Sequence, residues 1–150
     1  MLRGHAELTR AMNARLLAEH GLTVNDFDVL VQLADAPGHA LRRVDLADRV
    51  VLTPSGITRL LEGLERSGFV CKRRCDSDAR VTYAQLTDSG LRKLKEASAT
   101  HLADVDDMFG GHFSADELDT LAELLGRLAS TDRCPGAGAG IGLGAVAASD

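Results

Sequence analysis

The chain has 150 residues, 45% of them hydrophobic, with no Trp and a single Tyr, so its core must be built mainly from Leu, Val and Ala and favours helix packed on helix. No apolar run approaches the roughly 20 residues of a membrane helix, and the opening MLRGHAELTR has no apolar stretch of the kind a secretory signal carries, so a cytoplasmic protein is expected. The net charge of −5 argues against a polyanionic partner for the chain as a whole, yet residues 40–87 carry nine Lys/Arg against six Asp/Glu, a basic island between acidic flanks.

Leu8, Met12 and Leu16 stand four apart and predict a helix over 2–19, ended by His20-Gly21. Thr23 caps a second helix at 24–35, with Asp26 in a capping-box position and Phe27, Leu30, Val31 and Ala34 on one side. Pro37-Gly38 stops it. A short helix follows at 43–50, with Leu46, Ala47 and Val50 inward. Thr53 is then a good N-cap and Pro54 sits at the first helical position, where its missing N–H is no loss. Ile57, Leu60, Leu61 and Leu64 make the inner face of this fourth helix, closed by Ser67-Gly68. Gly63 inside it costs about 1 kcal/mol against Ala, which only close packing would explain. Phe69–Cys75 and Val81–Leu86 read as two strands joined by Asp76-Ser77-Asp78-Ala79, with Lys72, Arg73, Arg74 and Arg80 on the hairpin. Thr87 caps a long helix at 88–108, and Ser114 with Glu117 forms a second capping box before a last helix. From Cys134 onward Gly alternates with small residues, which predicts a disordered tail.

Two short helices joined by a tight turn, the second with an apolar inner face, make a helix-turn-helix, and a basic hairpin directly after it makes a wing. Such a second helix suits the major groove, where Ser55, Thr58 and Arg59 would meet base edges. The wing tip would reach an adjacent minor groove, whose negative potential attracts Arg. Arg80 and Arg59 are the first candidates for DNA contact. Of the neighbours Arg73 and Arg74, strand alternation turns one away.

The run LTPSGITRLLEGLERSGFV, the wing CDSDARVTYAQLTDSG and the two terminal helices resemble the multiple-antibiotic-resistance regulator (MarR) family over roughly residues 5–131. The most telling pieces are Leu46-Ala47, Pro54-Ser55, Leu64-Glu65 with Gly68, Asp78 with Arg80, and Leu86-Thr87 with Gly90. The resemblance implies that Pro54, Ser55, Gly56, Thr58 and Arg59 belong to the recognition helix, and that Asp78 holds Arg80 for the minor groove. It implies an obligate homodimer with intertwined terminal helices, and hence a near-palindromic operator in double-stranded DNA. It also implies a repressor released by a small aromatic or phenolic ligand, lined by Met12, Arg15, Phe27 and His5, residues equally consistent with plain packing. The tip departs from the pattern: many relatives carry a second Arg where Ala79 stands, so weaker wing electrostatics are expected.

The expected fold is mainly α with a small β wing. A winged helix-turn-helix occupies 23–87, helical dimerisation regions 1–22 and 88–133, and the Gly/Ala-rich tail 134–150. Cys71, Cys75 and Cys134 have no zinc spacing, and no phosphate-binding glycine loop, nucleophile elbow or HExxH is present, so neither metal, cofactor nor enzymatic activity is expected. Two other readings stay open. The winged helix could bind protein instead of DNA, which the acidic overall charge would suit. Alternatively Cys75, beside Arg73 and Arg74 and on the same strand face as Cys71, could sense oxidants, although its plain reading is an unreactive thiol.

Overall fold

Thr23 opens the central helix as its sequence predicts: its Oγ1 accepts from the Asp26 N–H at 3.1 Å, and the Asp26 carboxylate accepts from the Thr23 N–H at 2.8 Å. A computed structural model describes residues 2–50, 52–74 and 81–129. In chain order these form α1 (Leu2–His20), α2 (Val24–Ala34), a short 3-10 turn (Pro37–His39), β1 (Ala40–Arg42), α3 (Arg43–Arg49), α4 (Pro54–Arg66), β2 (Val70–Arg74), β3 (Thr82–Leu86), α5 (Asp88–Gly110) and α6 (Ala115–Ala129). The described residues divide into two compact units, with the boundary between Thr100 and His101. None of the described helices is long and apolar enough to cross a membrane.

The core of the first unit is aliphatic. Leu16, Val29, Leu30, Leu33, Leu46 and Leu61 are all fully buried. One apolar side was expected for α2, but Val29 and Leu33 are buried along with Phe27 and Leu30, while Val31 and Ala34 are half-buried. The helix packs against α1, α3, α4 and the sheet, so it is enclosed on several sides and its single-face periodicity is lost.

The sheet also differs from the expected two-stranded hairpin. It has three antiparallel strands in the order β1-β3-β2, with Leu41 opposite Ala84 and Val70 opposite Leu86. Ala40–Arg42 is too short to display an alternation, and its partner strand comes only after α3 and α4. Leu41, Val70, Ala84 and Leu86 put the inner face of the sheet into the core.

The point where α4 ends, β2 begins and α5 starts is closely tied. α4 stops in a Schellman motif: the Phe69 N–H donates to the Leu64 carbonyl and the Gly68 N–H to that of Glu65, both at 3.0 Å, with Gly68 at φ +74°. Thr87 donates its N–H to the Phe69 carbonyl at 3.0 Å and its hydroxyl to that of Gly68 at 2.7 Å. The same hydroxyl oxygen accepts from the Gly90 N–H at 3.0 Å, capping α5. These bonds fix the root of the hairpin to the end of α4.

Close packing does not explain Gly63. A Cβ built there would meet nothing within 4 Å. Gly63→Ala is therefore expected to raise stability by about 1 kcal/mol, since the helix gains propensity and no neighbour must move. Thermal melting checks this, and the melting temperature should rise by about 2–4 °C.

In the second unit, Ser114 and Glu117 form the expected capping box, with the Ser114 N–H donating to Glu117 Oε2 at 2.8 Å and the Ser114 hydroxyl to the same oxygen at 2.9 Å. These bonds hold the Glu117 carboxyl below its ordinary value. Leu102, Val105, Phe109, Leu118, Leu121 and Leu125 line an apolar groove of about 430 Å³. Residues 130–150, with Cys134 and the Gly/Ala-rich stretch, lie outside the described residues.

Candidate nucleic-acid interface

Thr53 prepares the start of α4. Its Oγ1 accepts from the Gly56 N–H at 3.1 Å, and Pro54 removes one more donor, so the Ser55 N–H is left at the helix mouth. A Cβ at Gly56 would stand 3.1 Å from that cap oxygen, which favours the smallest residue there. Ser55 Oγ lies 3.2 Å from Thr53 Oγ1, and the Thr58 hydroxyl donates to the Pro54 carbonyl at 2.8 Å. The Thr58 hydroxyl proton is thus used within the helix, and its oxygen keeps both lone pairs for accepting.

Beyond the first turn the helix is two-sided. Ile57, Leu61 and Leu64 are buried, whereas Pro54, Ser55, Arg59, Glu62 and Arg66 are exposed and Thr58 is half-buried. Arg66 folds back, its Nε donating to the Glu62 carbonyl at 3.2 Å, which suits a cation at a helix C-terminus. Arg59 makes no such bond among the described residues and is left to solvent.

β2 carries its cations to different tasks. Lys72 Nζ lies 2.8 Å from Glu65 Oε2, an ion pair between strand and helix that the sequence did not announce, because nothing local marks a partner seven residues back on another element. Alternation puts Lys72 and Arg74 on the face of Val70, and Cys71 and Arg73 on the other. Arg73 is held against the Tyr83 ring, its guanidinium carbon 5.6 Å from the centroid. Arg74, opposite Thr82 at the end of the described strand, is exposed. Asp78, Arg80 and Cys75 lie outside the described residues. Arg42, also on the sheet, is taken up by Asp45 through two bonds of 2.6 and 2.7 Å.

The residues expected around a small ligand fall in different surroundings. Met12 is half-buried on α1, Phe27 is 5% exposed within the core, and Arg15 is exposed with its Nε 3.0 Å from Glu19 Oε1. The His5 side chain lies outside the described residues. Among the described residues no cluster of His, Cys, Asp and Glu is arranged to hold a metal ion.

Residues 22–82, from just before α2 to the first residue of β3, match the model of the MarR family. The chain is 32% identical over 125 residues to the HTH-type transcriptional repressor YetL of Bacillus subtilis (strain 168), across 81% of this chain and 74% of YetL. The chain belongs to the MarR family. It is also 28% identical over 126 residues to the HTH-type transcriptional regulator MhqR of the same organism, across 84% of both chains. Sco3205, a MarR family transcriptional regulator from Streptomyces coelicolor solved in complex with DNA, superposes with a TM-score of 0.80 at 26% identity, covering 93% of this chain and 87% of that one. This MarR-family protein is accordingly a DNA-binding transcriptional regulator, and its relatives are regulators rather than enzymes. The mainly helical fold with a small sheet, read from the punctuation of the sequence, is the fold of these neighbours.

Proposed function

We propose that the protein is a dimeric, sequence-specific repressor that sets α4 of each protomer into the major groove of a near-palindromic operator. The observation that carries this reading is the construction of α4: a capped, proline-started mouth and an outward line beginning Ser55 and Arg59, opposite a fully buried face. Ser55, Thr58 and Arg59 meet base edges, and the Ser55 amide and the Pro54-Gly56 turn approach a phosphate. Arg74 and the wing-tip pair Asp78 and Arg80 extend the contact to the neighbouring minor groove, with Arg73 supporting the strand through Tyr83. Repression fits the name of YetL and follows from an operator whose occupation blocks polymerase.

Dimerisation is supported by the second unit, where Leu124 and Leu125 are 50% and 51% exposed beside an apolar groove. An apolar surface of this kind on a single chain suits a second copy. Release by a small aromatic or phenolic ligand belongs to the same proposal: binding near Met12, Arg15 and Phe27 would shift the spacing of the two α4 helices and so lower operator affinity.

Fluorescence anisotropy against the protein's own upstream DNA, at several salt concentrations, tests the interface. Wild type should bind with a steep loss of affinity as salt rises. Arg59→Ala should weaken binding by about 1–3 kcal/mol and reduce preference over random DNA, while Arg80→Ala should make the salt dependence shallower. Equal binding to upstream and random DNA would instead favour a protein partner for the winged helix.

A further inference from the structure

α4 turns one line of side chains away from the core: Ser55, Arg59, Glu62 and Arg66, at spacings i, i+4, i+7 and i+11. Three of the four suit a polyanion. Glu62 does not. The other carboxylate of the helix, Glu65, is half-buried and neutralised by Lys72 at 2.8 Å. Glu62 has no ion pair among the described residues. Arg66, one turn further on, sends its Nε to the Glu62 backbone carbonyl and not to its side chain. Among the described residues, a carboxylate without an ion-pair partner therefore stands between Arg59 and Arg66 on the exposed face of the helix.

Next to phosphate such a charge lowers affinity for every sequence. In the major groove it has one good partner, the N4 amino group of cytosine, which donates to a carboxylate oxygen. Glu62 lies three residues, about 4.5 Å of helix axis, from Arg59. Base pairs are about 3.4 Å apart, so the two side chains suit neighbouring pairs. We propose that Glu62 is a specificity-determining residue, accepting from the N4 amino group of a cytosine in each half-site and penalising other bases and the backbone at that place. The proposal rests on reading α4 as the recognition helix.

Selection from randomised duplexes with full-length wild type, Glu62→Ala and Arg59→Ala tests it. Wild type should enrich a two-fold symmetric motif with cytosine at one position of each half-site. Glu62→Ala should keep the rest of the motif, lose that single preference, and bind random duplex several-fold more tightly. On a duplex with that C·G pair replaced by T·A, wild type should lose affinity on the order of tenfold, and Glu62→Ala little. Because Glu62 is exposed, melting of the variant should match wild type. A motif changed by Arg59→Ala but identical for Glu62→Ala and wild type overturns the role of Glu62 alone. A wild-type protein that enriches no motif, or one that Arg59→Ala leaves unchanged, overturns the reading of α4 itself.

Discussion

A single methyl group at Gly90 should cost the fold about 3 kcal/mol, at the upper end of what overpacking a well-filled site does. A Cβ there would stand 2.1 Å from the Phe69 carbonyl oxygen and 2.8 Å from Leu86 Cδ1. The first neighbour is backbone, and it already accepts the Thr87 N–H. Relief would require α5 to lift from the root of the wing, breaking the bonds through which Thr87 joins Gly68, Phe69 and Gly90. For a chain of this size the melting temperature of Gly90→Ala should fall by about 6–12 °C. Gly63→Ala is the matched control. It makes the same chemical change inside a helix, but into open space, and should move stability the other way. A Gly90→Ala protein melting at or above wild type would mean that the junction is looser than its geometry.

The other large effect is expected at the surface of α6. Leu125 is half-exposed in the single chain, so Leu125→Asp should leave each protomer folded. In a dimer covering that surface, the new carboxylate would be buried without a partner, at a cost of several kcal/mol. Sedimentation should then find the wild type as a dimer and the variant as a monomer. DNA affinity should fall by about a hundredfold or more, because two half-sites no longer bind as one event. A variant that stays dimeric and keeps its affinity would place the interface elsewhere.

What could be read from the sequence follows the range of the interactions that set it. The starts of α2, α4 and α6 depend on a side chain bonding to a backbone or partner three residues away, as in Thr23-Asp26, Thr53-Gly56 and Ser114-Glu117, and their short spacing is visible in one dimension. β1 was not visible, because three residues carry no pattern and the strand exists only through its pairing with Thr82–Leu86. The enclosure of α2 depends on what surrounds it. Gly90 stood out only as part of a family signature; its reason, the Phe69 carbonyl, comes from a strand start on the far side of the hairpin. At the interface the outward line of α4 followed from helical period alone, whereas the engagement of Lys72 with Glu65 and of Arg73 with Tyr83 depended on how the strands sit on their neighbours.

In the proposed complex, two copies place α4 in successive major grooves on one face of the duplex. Hydroxyl-radical footprinting of the full-length protein on its own upstream DNA would reveal this arrangement. Two protected half-sites related by a two-fold axis are expected, with centres about 34–36 Å apart, one helical turn, and flanking protection in the minor groove from the wings. Both halves should disappear together in Leu125→Asp. Protection of one isolated half-site, or uniform protection without symmetry, would contradict it.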